Sequence, residues 1–222
     1  MNKREVVAEM LSAARALLSE HGLAPSTSAL QPHEKKYMGK SLSVKIRVHP
    51  DLRHTIDFVK TVQDAGVDFI TIHGRTRRTP SSQPVNLDAI KLVAEHCRVP
   101  VIANGDVVSS ERAKEIAETT GVQGVMSSRA ILSNPGLYSG LKSCSWEVLE
   151  TFINEVIRAP LPFKLVLHHV SEMAGDGDFG NVSGTGDGGA LMSKSQRIGL
   201  LQCTDMMELI DYLDDIKPLK RL

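Results

Sequence analysis

Lys45 and Arg47 alternate with apolar residues in Val44-Lys45-Ile46-Arg47, and three later apolar stretches each run into polar residues. These are Thr71-Ile72-His73-Gly74-Arg75-Thr76-Arg77-Arg78, Val101-Ile102-Ala103-Asn104-Gly105-Asp106 and Val125-Met126-Ser127-Ser128-Arg129. A lysine within an apolar strand is costly to bury unless it meets a ligand or partner. One reading of Lys45 is a cation over an electron-rich ring or an anionic oxygen; the other is an outward-facing or ion-paired side chain. His73, followed by three arginines, reads as an imidazole beside cations that reach an anion, against a plain solvated loop. Gly105 would let the backbone approach a phosphate closely, while Asn104 and Asp106 fix a loop or bind hydroxyls. The alternative there is a simple turn with an aspartate cap. Ser128 and Arg129 would complete an anion site, because backbone amides at a helix start and a guanidinium suit a dianion.

The elements that must hold these residues follow from the pattern between them. Strands are expected at 44–48, 68–73, 99–103 and 124–127, with helices at 52–65, 86–96 and 110–119. Strand starts are roughly 24 to 31 residues apart, the length of a βα unit. Gly66 and Gly121 follow the last turns of two of these helices, as left-handed caps do. Ser109 or Ser110 suits a helix start. Reactive side chains at the ends of successive strands are how a βα-barrel builds its site. The fold class expected is α/β: a partial TIM (β/α)8 barrel of about four βα units, followed by a C-terminal helical region.

A helix over 6–18, stopped by Gly22, precedes the first strand, and 23–42 reads as a loop. After about residue 140 the pattern becomes helical, at 146–157, 162–173 and 196–216. Residues 174–190 hold seven glycines and read as a flexible insert. The domain division expected is 1–140 and 141–222.

Bulk properties narrow the class further. The chain has 222 residues, is 41% hydrophobic and 23% charged, and carries no formal net charge. It is therefore no polycation, and any nucleic-acid binding must come from local patches. Cys97, Cys144 and Cys203 are scattered and odd in number, which argues against a disulfide framework or zinc site and for a reducing compartment. His168 and His169 are neighbours on one helix and face different sides. The first residues lead into an amphipathic helix rather than a signal peptide, and no apolar run reaches membrane length. A cytoplasmic or nuclear protein is expected.

The motif series as a whole, from Val44-Lys45-Ile46-Arg47 through Thr71-Ile72-His73-Gly74-Arg75-Thr76 and Pro100 to Asp106, then Gly124-Val125-Met126, Arg129-Ala130 and Asn134-Pro135, strongly resembles the tRNA-dihydrouridine synthases. The likeness is to the eukaryotic type 4 branch, reinforced by Ile210-Asp211-Tyr212-Leu213. It is dense from about 44 to 138 and looser beyond. The resemblance implies an FMN-dependent flavoprotein oxidoreductase of tRNA processing that reduces the C5–C6 bond of uridine, with NADPH as reductant. It implies FMN contacts at Lys45 and His73, and phosphate and ribityl contacts at Asn104, Gly105, Asp106, Ser128 and Arg129. It implies RNA contacts at Arg47, Arg75 and Arg77, with Lys217, Lys220 and Arg221 as further tRNA-facing cations.

Two departures qualify this. Ser128 stands where many members have glycine. The family's proton-donating cysteine lies in an Asn-x-Gly-Cys-Pro segment that this chain lacks, so no catalytic residue is assigned. Half a barrel leaves two strand edges open. The chain is expected to be marginally stable, to self-associate through those edges, or to be a truncated form of a longer protein, with weak or no FMN binding and no detectable dihydrouridine formation. Two alternatives remain: a non-catalytic RNA- or phosphate-binding half barrel, and another FMN barrel such as a dihydroorotate dehydrogenase-like oxidoreductase.

Overall fold

The computed structural model describes residues 3–24, 39–175 and 189–220. Most of the loop expected at 23–42, most of the glycine-rich segment and Arg221 lie outside the described residues. The chain divides into two compact units, Met1–Gly105 with Lys114–Met126, and Asp106–Ala113 with Ser127–Leu222.

The first unit is built on four parallel strands in the order β1-β2-β3-β4. These are β1 (Ser43–Arg47), β2 (Phe69–His73), β3 (Val101–Asn104) and β4 (Gly124–Met126). Their β-branched residues suit a pleated, packed surface. Ile70 pairs with Val101 and Ile72 with Ala103 in register, and all four are buried. Each large aliphatic side chain so buried contributes roughly 1.5–3 kcal/mol. β1 differs, because Ser43, Lys45 and Arg47 are exposed while Val44 and Ile46 are half-buried. That alternation is expected of a strand with one face open to water.

Helices α1 (Lys3–Glu20), α2 (Leu52–Asp64), α3 (Leu87–Glu95) and α4 (Ser110–Thr120) alternate with the strands. The starts of α2, α3 and α4 are capped by side chains, which satisfy N–H groups that have no partner within the helix. Asp51 accepts the N–H of Arg53, Asn86 that of Ala89, and Ser109 Oγ that of Arg112. Thr55, Val59 and Val62 of α2, and Ala89, Ile90 and Val93 of α3, turn inward at helical spacing. Gly66 and Gly121 have φ of 93° and 70°, as left-handed caps require. α1 is tied to the start of β2, where Arg15 Nε donates to Gly66 O at 3.1 Å and Arg15 pairs with Asp68 at 2.7 Å.

The second unit is helical: α5 (Arg129–Ser133), a 3-10 turn (Leu137–Ser139), α6 (Trp146–Arg158), α7 (Phe163–Ala174), α8 (Lys194–Leu200) and α9 (Met206–Ile216). Leu149, Ile153, Val166, Val170, Leu200, Leu209 and Leu213 form its core. The sequence boundary near 140 falls inside this unit, because α5 packs on α7. The single helix expected over 196–216 is two. Asp205 accepts the N–H groups of both Met207 and Glu208 and starts a new helix there. Gly199 permits a close crossing of α8 and α9, since a Cβ there would stand 2.4 Å from Tyr212 Oη.

Candidate functional site

The ends of the strands align residue by residue. Arg47 is paired with His73, His73 with Asn104, and Asn104 with Met126. Two residues earlier, Lys45 is paired with Thr71 and Thr71 with Ile102. Register partners in a parallel sheet point to the same side, and side chains alternate along each strand. Lys45, Arg47, His73 and Asn104 therefore share one face, opposite the buried Ile70, Ile72, Val101 and Ala103. Lys45 and Arg47 are exposed, and His73 is half-buried.

Local bonds fix each member of this row. Nδ1 of His73 accepts the backbone N–H of Arg75 at 3.2 Å. In the neutral imidazole the proton must then sit on Nε2, which makes that nitrogen a donor. Asn104 is buried, and its Nδ2 donates to Met126 O at 2.9 Å, tying β3 to β4. Gly74 N donates to Asn104 O at 3.2 Å, which joins the ends of β2 and β3.

Gly105 has a φ of 120°, a conformation closed to L side chains. A Cβ there would stand 2.8 Å from Val85 Cγ2 and 3.5 Å from His73 Cε1. A Cβ on Gly74 would meet the same Val85 methyl at 2.5 Å and Asn86 O at 2.7 Å. Val85 is thus a wedge against both strand ends, and Asn86 N donates to Gly74 O at 2.9 Å to hold it there. Sequence reasoning missed Val85; its position just before the N-cap Asn86 was the only signal.

The segment after β2 is an ordered loop. Arg75, grouped in the sequence with RNA-facing arginines, is only 4% exposed, and its Nε donates to Gln83 O at 2.6 Å. It closes the base of the loop instead of facing solvent. Thr76 and Thr79 hydroxyls bond at 2.7 Å, and Arg47 Nη1 donates to Thr76 O at 3.0 Å. Arg77 and Arg78 are exposed on this loop.

In the second unit, Asp106 has a φ of 52° and is the non-glycine residue of positive φ among the described residues. Aspartate tolerates that left-handed conformation better than most side chains. Ser127 Oγ donates to Val107 O at 2.8 Å, and Ser127 N donates to Tyr138 Oη at 2.9 Å. Ser128 and Arg129 are exposed, Ser128 makes no side-chain cap, and the helix they open has only five residues. Such a short helix contributes little dipole, so any anion binding there rests on Arg129 and exposed amides. Lys217 lies 5.7 Å over the Trp146 ring, and Lys220 N donates to Glu150 at 3.3 Å.

No thiol belongs to the row of strand ends. Cys97 lies just before β3, at the opposite end of that strand, and its Sγ donates to Val93 O. Cys144 belongs to the helical core. Burial pushes both thiols up to about 11. Cys203 is raised as well, by burial first and then by Glu208 and Asp205. A groove of about 610 Å³ between the ends of α3 and α4 includes Cys97 but lies at the far end of the strands from His73 and Asn104. Among the described residues, no group of three or more metal-ligating side chains occurs.

Comparison with known proteins places the chain. The family model for dihydrouridine synthase matches residues 5–182. The tRNA-dihydrouridine(20a/20b) synthase [NAD(P)+] of Saccharomyces cerevisiae is 47% identical over 133 residues, 58% of this chain and 36% of that protein. The Schizosaccharomyces pombe protein of the same name is 43% identical over 143 residues, 64% of this chain and 44% of its own length. A human tRNA-dihydrouridine(20a/20b) synthase [NAD(P)+]-like protein is 36% identical over 135 residues, 61% of this chain and 42% of that protein. The chain spans less than half the length of these relatives. With most of its length matched by the family model, this chain belongs to the dihydrouridine synthase family.

Proposed function

We propose that this dihydrouridine synthase family member carries the FMN- and RNA-facing half of a tRNA-dihydrouridine synthase, an NAD(P)H-dependent oxidoreductase acting on uridine in tRNA. The observation that carries the reading is the shared row of Arg47, His73 and Asn104, with Lys45 on the same face. These residues fit a flavin nucleotide. Lys45 offers a solvent-facing cation, which suits the electron-rich edge of a reduced ring. His73 offers an Nε2 donor. Gly105, whose place for a Cβ is taken up by Val85, keeps a bare backbone turn beside His73. On the resemblance, Asp106, Ser128 and Arg129 are assigned to the phosphate and ribityl chain. FMN, when bound, would supply the hydride for the C5–C6 bond of uridine and would be recharged by NADPH.

Arg47 and Arg77 are assigned to RNA phosphate or the extruded base. Arg75 serves them by holding the loop through Gln83. Cys97 stands at the opposite end of β3 from the row, so it is not assigned the proton for uridine C5. That same placement favours a second reading, a non-catalytic half barrel that binds RNA. Self-association through the open sheet edges is part of the proposal. So is a cytoplasmic or nuclear setting; among the described residues no helix is long and apolar enough to cross a membrane.

The test is a gel shift of unmodified tRNA, with and without FMN, over a salt series. Salt-dependent binding that strengthens with FMN supports the flavin reading, and binding indifferent to FMN supports the second. Absence of any shift at low salt would sink both.

A further inference from the structure

From Phe69 to Leu87 the chain holds His73, Arg75, Arg77 and Arg78 and neither aspartate nor glutamate, although the whole chain carries no formal net charge. Two consecutive β-turns shape the loop in this cationic stretch. Thr79 N donates to Thr76 O at 3.3 Å, which puts Arg77 and Arg78 at the corner of the first turn. Gln83 N donates to Pro80 O at 3.2 Å, which puts Ser81 and Ser82 at the corner of the second. A β-turn is closed between its outer residues, so the central pair is left at the outside of the bend. All four corner residues are exposed.

Bonds within the first unit hold both turns. The Thr76 and Thr79 hydroxyls bond each other at 2.7 Å, Thr76 N donates to Thr79 Oγ1 at 3.2 Å, and Arg78 N donates to Thr76 Oγ1 at 3.3 Å. Arg47 Nη1 donates to Thr76 O and Arg75 Nε to Gln83 O, so each turn is anchored at one end by a guanidinium. The two threonine hydroxyls are thus used inside the loop. Those of Ser81 and Ser82 make no hydrogen bond among the described residues, and the guanidiniums of Arg77 and Arg78 meet no carboxylate there.

We propose that this double turn is a preformed seat for the phosphate backbone of the tRNA, with Arg78, Ser81 and Ser82 as contact residues beside Arg77. Arginine and serine are among the side chains that hydrogen-bond phosphate oxygens. The guanidiniums bring charge and a planar fork of donors, and the hydroxyls add donors without charge. Arg78 and Ser81 are three residues apart, so their Cα atoms stand at most roughly 11 Å from one another and can serve one short run of a strand. The turns are already ordered, so binding does not have to freeze a loose loop. The corners hold donors and no apolar or aromatic anchor, which favours a nucleic-acid backbone over a protein partner. Such contacts fix register and orientation and read no sequence. The inference rests on the tRNA reading above and on nothing about flavin.

Filter binding of unmodified tRNA over a salt series tests it, with the wild-type chain, Arg78→Ala, and Ser81→Ala combined with Ser82→Ala. The altered positions are exposed, so the melting temperature should stay at the wild-type value. Arg78→Ala should lower the salt slope by about 1, since one fewer counterion is released. The serine variant should bind about tenfold more weakly at every salt concentration with the slope unchanged, because a neutral hydroxyl releases no counterion. A serine variant that matches the wild type throughout would overturn the seat and leave the tRNA reading intact. No binding by the wild type at low salt would contradict that reading itself. Equal weakening of heparin binding by the serine variant would make the occupant any polyanion and overturn the assignment to RNA.

Discussion

Nδ1 of His73 accepts the backbone N–H of Arg75 at 3.2 Å, so the loop that follows β2 dictates which imidazole nitrogen carries the proton. Neutral His73 should show the Nε2–H tautomer by nitrogen NMR. His73→Gln keeps an N–H near the Nε2 position, whereas His73→Asn does not reach it. Flavin binding should be weakened less by the glutamine. Equal losses for the two variants would mean that Nε2 is not the contacting atom.

Gly105→Ala places a methyl group 2.8 Å from Val85 at a φ of 120°. The substitution should cost about 1–3 kcal/mol, because the strained backbone persists whatever the neighbour does. Val85→Ala in the same chain removes the contact but not the strain. Urea unfolding of the four variants of the cycle should give a favourable coupling of about 1 kcal/mol. Strict additivity would remove Val85 from its role as the wedge.

Two arginines two residues apart should behave oppositely. Arg77 is exposed, so Arg77→Ala should leave stability within about 0.5 kcal/mol and lower the salt slope of tRNA binding by about 1. Arg75 is buried on Gln83 O, so Arg75→Ala should lower stability by about 1–3 kcal/mol. A salt slope that falls with Arg75→Ala at unchanged stability would reassign Arg75 to the RNA.

Burial holds the Cys97 and Cys144 thiols near 11. A raised thiol pKa means less thiolate at neutral pH, so alkylation by iodoacetamide should be slow at pH 8. The rate should climb about tenfold per pH unit towards pH 11. Peptide mapping separates the sites, and a rate at either cysteine that levels off below pH 9 would contradict the burial.

The strands, the first three βα units and the helix caps were legible in the sequence because they rest on short-range rules. Gly66 and Gly121 end helices, and Ser109 begins one, accepting the N–H of Arg112. What was hidden depends on chain segments meeting far apart in sequence. Arg75 looks like its neighbour Arg77 until the chain returns at Gln83 and takes its guanidinium. Val85 looks like any apolar residue until Gly74 and Gly105 are seen against it. The break between α8 and α9 was masked because Leu200 and Leu209 continue an apolar rhythm across it, although Asp205 is a cap.

The central claim is that Lys45, His73 and Asn104 face a flavin nucleotide from one side. The most direct test is quenching of FMN fluorescence by the wild-type chain and by Lys45→Glu, an exposed substitution that should leave the melting temperature unchanged. The account predicts weak, saturable quenching by the wild type and none by Lys45→Glu. Identical curves for the two proteins, or no quenching by the wild type at any concentration, would contradict it.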